Sequence, residues 1–362
     1  VSVINVGNGA SSMVREGGTD NDQYFGADAS GGVALAVGFT RSFLGNQNQN
    51  QGLVRRMNLL DGTVQTRRHF NVNDVAILWR AASVSGAVAG EHVVAGTVDD
   101  GGGMIVARLN ATLGSVVARR ITLAGTNAAP RRVIAAGGSV YVSGVRQVGG
   151  VPRGVLLRLA AETLAVQDAI DIVGDGNTEA MDILLDGDDL VVAGIIPGGG
   201  LWLRVDPQSL ALRSLRRVVD VPLRSVQRRG PDLVVVGEFA VNVSVASVVV
   251  VNGDDDGIVG QTLPFMGRVG QAQHQPLLTV GGQDALAGLR DGAVFAVPLR
   301  GALDARCDDD ALVGGLAAPM AVVDDVTVSA VAVSDAAIAL SDAAVDLNPA
   351  AVAVTEGACP TP

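Results

Sequence analysis

Lysine is missing from this chain altogether: all 26 basic residues are arginine. Aromatic residues are scarce too, at 3% of 362, so a core of this size has to be built from Val, Ala, Leu and Ile. Positive charge is outnumbered. With 37 acidic residues the net charge is −11, which speaks against a nucleic-acid partner, because neutralising phosphates needs a basic face. No apolar run reaches the length of a spanning helix. Histidine occurs only at His69, His92 and His274, none at metal-ligand spacing from another His, Cys or carboxylate. A Gly-x-Ser-x-Gly nucleophile elbow is also lacking. The chain opens at Val1 without a charged, apolar leader, as expected of an exported protein whose signal has been removed, although a trimmed chain would open the same way. Cysteine appears twice, as Cys307 and Cys359, at the two ends of the last segment. The even number and bracketing position favour one disulfide and hence an oxidising compartment. In the chain-entropy model, closing such a loop stabilises by roughly 4 kcal/mol.

What is plentiful is glycine, 47 residues without a G-x-y period, which argues for many tight turns. The stretch Gly187–Val205, GDDLVVAGIIPGGGLWLRV, shows the pattern: a turn, an apolar strand ending in Gly194, a glycine-rich reversal, and a second strand carrying Trp202 and Arg204. Strand-ending glycines recur in similar surroundings at Gly38, Gly96, Gly144, Gly194, Gly237 and Gly288, at intervals of 43 to 58 residues. Each has an apolar run before it and two more strands after it. The runs last four to seven residues and alternate or are uniformly apolar, so helix periodicity does not compete. A unit of four short strands cannot bury both faces alone, so neighbours must stack. Radial stacking gives an all-β β-propeller of six four-stranded blades. Val1–Val6 is expected to close the ring as an outermost strand, and a seventh blade could be assembled from the two termini. The propeller then spans residues 1–306 and a β-rich tail spans 307–362.

The unit GGSVYVSG…GVLLRLAAETLAV resembles the degenerate blade repeats of secreted bacterial β-propeller proteins, over about residues 24–306. The resemblance implies the fold and export, and brings no activity with it. Similar cysteine-bracketed tails of Val-x-Val units occur in exported bacterial surface proteins. Here the tail reads VAVSDAA, IALSDAA, VDLNPAA, VAVTEGA, after a shorter VTVSA. Its apolar pairs, Val331/Val333, Ile338/Leu340, Val345/Leu347 and Val352/Val354, are two apart, which is strand spacing. Seven is odd, so an unbroken strand would flip its apolar pair to the other face at every unit. Either a bend falls at each SDAA or NPAA, or the tail lies between two surfaces, docked on the propeller or on another subunit.

For chemistry, the best metal candidate is Asn252-Gly-Asp254-Asp-Asp256-Gly257. Its oxygen ligands at positions 1, 3 and 5 and its glycine at 6 suit calcium, whereas Leu263 stands at position 12 where a carboxylate is needed. An acidic hairpin tip is the plainer explanation, and no other cofactor is indicated. Arg67–Arg68, Arg119–Arg120 and Arg216–Arg217 close their units, while Arg131–Arg132 and Arg228–Arg229 open the next apolar run. Such pairs either line a face for an anionic glycan or meet aspartates along blade edges. Arg108, Arg158 and Arg204 recur as prospective blade-to-blade ion pairs. The leading expectation is an exported, non-catalytic structural protein of the cell surface or medium, whose tail donates strands to a neighbouring subunit and supports a homopolymer or filament. The alternative is a module binding a glycan or a cell-surface protein, with sugar stacking limited to Trp79, Tyr141 and Trp202. A propeller hydrolase or lyase would need a clustered acid/base set, and the sequence displays none.

Overall fold

The computed structural model describes residues 2–4, 11–15, 23–42, 50–59, 63–71, 76–86, 90–98, 103–123, 127–240, 244–254, 256, 258–266, 277–280, 283–290, 293–300, 304–305, 320–322, 327–338, 341–344 and 350–352. Its regular elements are all strands, and they form a propeller of four-stranded antiparallel blades. The chain divides into two compact units, Val1–Val3 with Ser11–Asp171 and Ser329–Val354, and Ile4–Ala10 with Ile172–Val328 and Thr355–Pro362. Much of the tail thus belongs with the first unit.

In the first unit two short strands, β1 (Ser2–Ile4) and β2 (Ser11–Arg15), precede the blades. The first blade is β3 (Gln23–Ser30), β4 (Val33–Thr40), β5 (Gln51–Asn58) and β6 (Val64–Asn71). The second is β7 (Ile77–Ser83), β8 (His92–Val98), β9 (Gly103–Leu109) and β10 (Ser115–Leu123). The third is β11 (Ala128–Ala136), β12 (Ser139–Val148), β13 (Val151–Ala160) and β14 (Val166–Val173). The second unit holds a fourth blade, β15 (Glu179–Asp186), β16 (Asp189–Ile196), β17 (Gly199–Val205) and β18 (Leu212–Val219). Its fifth is β19 (Leu223–Arg229), β20 (Asp232–Ala240), β21 (Ser244–Asn252) and β22 (Ile258–Met266). The last meander is β23 (Leu277–Val280), β24 (Gln283–Arg290), β25 (Ala293–Arg300) and β26 (Asp304–Ala305).

Among the described residues five full blades are seen where the repeats predict six or seven; the sheet around Gly288 is described over outer strands of four and two residues. Of the expected ring-closing stretch Val1–Val6, the described part, β1, does not join that sheet. β1 joins β2 and a tail strand in a separate three-stranded sheet.

In β8 and β16 the Val/Ala run that ends in glycine is buried on both faces. In β8, Val94 packs into a core shared with Leu35, Val54 and Phe70 of the first blade. Val93 and Ala95 pack on the other side, with Val140, Val142 and Leu157 of the third. β16 does likewise in the second unit, where Val191 and Ala193 meet Leu223, Val235 and Val249. Successive side chains of a strand point to opposite faces, so one Val/Ala run feeds two cores.

The tail contributes β27 (Met320–Val322), β28 (Thr327–Ala330), β29 (Val333–Ile338), β30 (Ser341–Ala344) and β31 (Ala350–Val352). In the first unit β28, β29, β30 and β31 add to the edges of β14, β10, β6 and β2, one strand per sheet in reverse chain order. In the second, β27 adds to β18.

Candidate functional site

Two places bring chemistry-bearing residues together: the innermost strands and the outer edges. The first strand of each blade is innermost, since β7 packs against both β3 and β11. Each of these strands carries a β-bulge opposite the signature glycine of the second strand. The bulged residues are Phe25, Arg80, Arg131, Met181 and Arg224. The bulge drives a backbone carbonyl toward the glycine. A Cβ on Gly38 would lie 1.8 Å from Gln23 O, one on Gly96 2.4 Å from Leu78 O, and one on Gly194 2.0 Å from Glu179 O. That crowding is the physical reason for the repeated glycine.

In the first unit the bulge residues meet. Gly26 lets the backbones of β3 and β7 touch, for a Cβ there would lie 2.2 Å from Arg80 O. The Arg80 guanidinium lies over the Phe25 ring, 5.6 Å from its centroid. Phe25 stacks on Phe39 at 5.5 Å, and Arg41 lies 6.0 Å from the Phe39 centroid. Burial, and then the like charge of Arg131, lower the Arg80 pKa. On β3 the Asp28 carboxylate is committed: it accepts Val84 N–H at 2.7 Å and Arg132 Nη2 at 3.1 Å. Asp171 is held by the buried guanidinium of Arg146, with Nε to Oδ1 at 2.8 Å.

The paired arginines fasten blade to blade. Arg68 Nε donates to Thr112 O at 2.8 Å and Arg119 Nε to Thr163 O at 2.6 Å, each reaching a turn of the next blade. The recurrent Arg108 and Arg204 do the same from the third strand. Arg108 pairs with Glu91 at 2.6 Å and reaches Ala161 O at 3.2 Å. Arg204 reaches Gly253 O at 2.8 Å. Arg158 pairs with Asp168 of its own blade at 3.1 Å. Arg228 pairs with Asp186 in the second unit. The aspartate-pairing reading of the arginines is thus the one these contacts follow, with turn carbonyls as added acceptors.

The residues considered for calcium are used differently. Asn252 Oδ1 accepts Asp254 N–H at 2.8 Å, making a tight Asx turn, and the Asp256 carboxylate turns inward, only 5% exposed, to Arg204. Among the described residues no group of three His, Cys, Asp or Glu gathers to hold a metal. The aromatic residues considered for sugar stacking are shut away: Trp79, Tyr141 and Trp202 are 0%, 1% and 0% exposed. Cys307 and Cys359 lie outside the described residues, as do Leu340, Val345, Leu347, Val354 and His274.

On the outer edges the tail places Val331 N–H on Ala169 O at 3.1 Å and packs Val331 and Val333 against the core of the second and third blades. Ile338 stands opposite Ala118 and Val352 opposite Met13. Of the two alternatives for the tail, a bend or bulge at each SDAA or docking against other surfaces, the SDAA segments of β29 and β30 follow the second, as strands on blade edges. In that register Ala337 and Ala336 stand opposite Arg119 and Arg120, and Ala344 opposite Arg68. The ladder itself needs only backbone groups.

No family model and no curated protein matches the chain. Among solved structures it is similar to the computationally designed Ika8 protein (10% identity, TM-score 0.36, covering 75% of this chain and 95% of that one). It is similar to puromycin hydrolase at 13% identity and TM-score 0.41, covering 77% of this chain and about half, 52%, of that one. An exo-1,5-alpha-L-arabinanase from a bovine ruminal metagenomic library shows 10% identity and TM-score 0.38, with 65% and 95% covered. Two of these three are enzymes by name, so the expected absence of catalysis does not stand. TM-scores below 0.5 bring no substrate and no catalytic residue across to this chain.

Proposed function

We propose that this chain is an exported surface scaffold whose tail clasps the outer edges of its blades, and that the same clasp, traded between copies, joins chains into an oligomer. One observation carries the reading. The two SDAA units occupy the same register on two successive blades, Ala337 opposite Arg119 and Ala344 opposite Arg68. A unit that fits two blades alike fits the same blade of a second copy. Strand addition draws its affinity from backbone hydrogen bonds, and exchange of an identical element is a low-cost route to association. The fifth blade supports the view that edges are managed here. Among the described residues β22 carries no added strand, and instead it contains Pro264 beside a bulge; proline and bulges are the usual ways to blunt an edge. The strands that carry tail segments, β6, β10, β14 and β18, contain no proline.

The test is sedimentation and electron microscopy of the full chain, of a chain ending at Arg306, and of a full-length Ala336→Pro, Ala343→Pro variant that removes two ladder donors. Concentration-dependent oligomers of the full chain, absent from both variants, are expected. A peptide of residues 327–344 should bind the shortened chain. Equal assembly of all three proteins would sink the reading.

A further inference from the structure

The inner strands of the first unit place Phe25, Arg80 and Arg131 at the same bulge position of three successive blades. Of these, Arg80 is the anomaly. Its Nε and Nη1 are buried, and they meet no hydrogen-bond acceptor among the described residues. Folded proteins pair a cation that they withdraw from water. The fifth blade does so at this very position, where Arg224 has the Glu238 carboxylate at 4.0 Å. In the first unit the inner-strand carboxylate Asp28 is held by Val84 N–H and Arg132. Arg80 instead has an aromatic ring on one side and the like charge of Arg131 nearby. A guanidinium whose Nε and Nη1 meet no acceptor among the described residues is a candidate anion fork, because its planar set of N–H donors matches an oxyanion.

We propose that the inner-strand end of the first unit binds an oxyanion, carboxylate, phosphate or sulfate, carried on a small ligand. Arg80 is the fork that holds it, Arg131 adds positive field, and the Phe25–Phe39 stack forms an apolar wall beside the charged group. The site is independent of whether the tail is exchanged between copies. It also gives the acidic chain a reason to hold cations at its inner strands.

Titration calorimetry of the full chain at low ionic strength with inorganic phosphate, sulfate and acetate tests the proposal. Saturable one-to-one uptake of at least one anion is expected, and the preference among the three names the group carried. Arg80→Gln should weaken that uptake tenfold or more, and Arg131→Gln should weaken it less. A second readout separates binding from folding. Without anion, Arg80→Met should raise the melting temperature by about 2–4 °C, since it removes an unpaired charge from a partly buried place. Absence of saturable uptake of all three anions, uptake unchanged in Arg80→Gln, or a melting temperature lowered by Arg80→Met would each overturn it.

Discussion

Arg204 donates from Nε to Oδ1 of Asp256 at 2.6 Å, fastening β17 of the fourth blade to the turn after β21 of the fifth. Asp256 has a left-handed backbone, φ 59°, and closes its turn by donating N–H to Asn252 O. Leu113, Leu164 and Leu210 hold the matching place in earlier blades, at φ 64°, 55° and 54°, and all are buried. A left-handed leucine costs roughly 1–2 kcal/mol, which burial of its side chain, worth about 1.5–3 kcal/mol, offsets. In the fifth blade the inward peg is a carboxylate, so it meets arginine in place of a core.

Asp256→Ala should therefore leave Arg204 short of a buried partner and cost about 2–3 kcal/mol in urea unfolding. Arg204 keeps Asp186 and Asp189 at 3.4 and 3.2 Å, which limits the loss. The double variant Arg204→Leu, Asp256→Leu should recover most of it. A double variant as unstable as the single one would show that the ion pair is not the source.

Gly194→Ala should be far more damaging than Gly187→Ala, although both replace a glycine. The first puts a Cβ 2.0 Å from Glu179 O in the bulge, and the second meets no atom within 4 Å. Gly187, at φ +61°, should cost only about 1–2 kcal/mol. Denaturation midpoints compare the two directly.

Amide exchange reports the tail clasp. Thr122 and Arg120 lie on β10 opposite Ser334 and Ala336. An Ala336→Pro change removes a donor from that ladder, so amides of β10 should exchange faster while those of β12 keep their protection. Unchanged β10 exchange would mean that β29 is not held there in solution.

His92 gives a signed pH dependence. Its Nδ1 donates to Val84 O at 2.7 Å. Burial lowers its pKa below the ordinary 6.5, the Val84 bond opposes that, and Arg56 lowers it further. A depressed folded pKa means that the unfolded chain takes up the proton first as pH falls below about 6.5. Stability should thus be fully present above that value and decline as pH drops toward the folded pKa. Between pH 7.5 and 5.5, His92→Gln should lose less stability than the parent chain.

Trp79 and Trp202 are the chain's two tryptophans, and both are fully buried. Their emission should be blue-shifted, resistant to acrylamide, and unaffected by added sugars. Sugar-dependent quenching would reopen stacking at these rings.

Some of this could be read from the chain alone. Repeated glycines at the ends of Val/Ala runs determine antiparallel blades, because short strands apolar on both faces have to be stacked with neighbours. The recurrent Arg108 and Arg204 likewise marked contacts between blades. The reason for the glycines was not legible, since the bulge that crowds them lies on a different strand, some 15 residues earlier in the chain for Gly194. Nor was the fate of the tail. Its period left open a bend at each SDAA or a docked tail, and only the pairing decides, because an edge ladder selects by backbone groups: Ala337 stands opposite Arg119 and Ala344 opposite Arg68. The inward turn of Asp256 and the gathering of Phe25, Arg80 and Arg131 depend on residues about 50 apart meeting across blades. Local sequence set the strands; only their stacking decided which charges found partners.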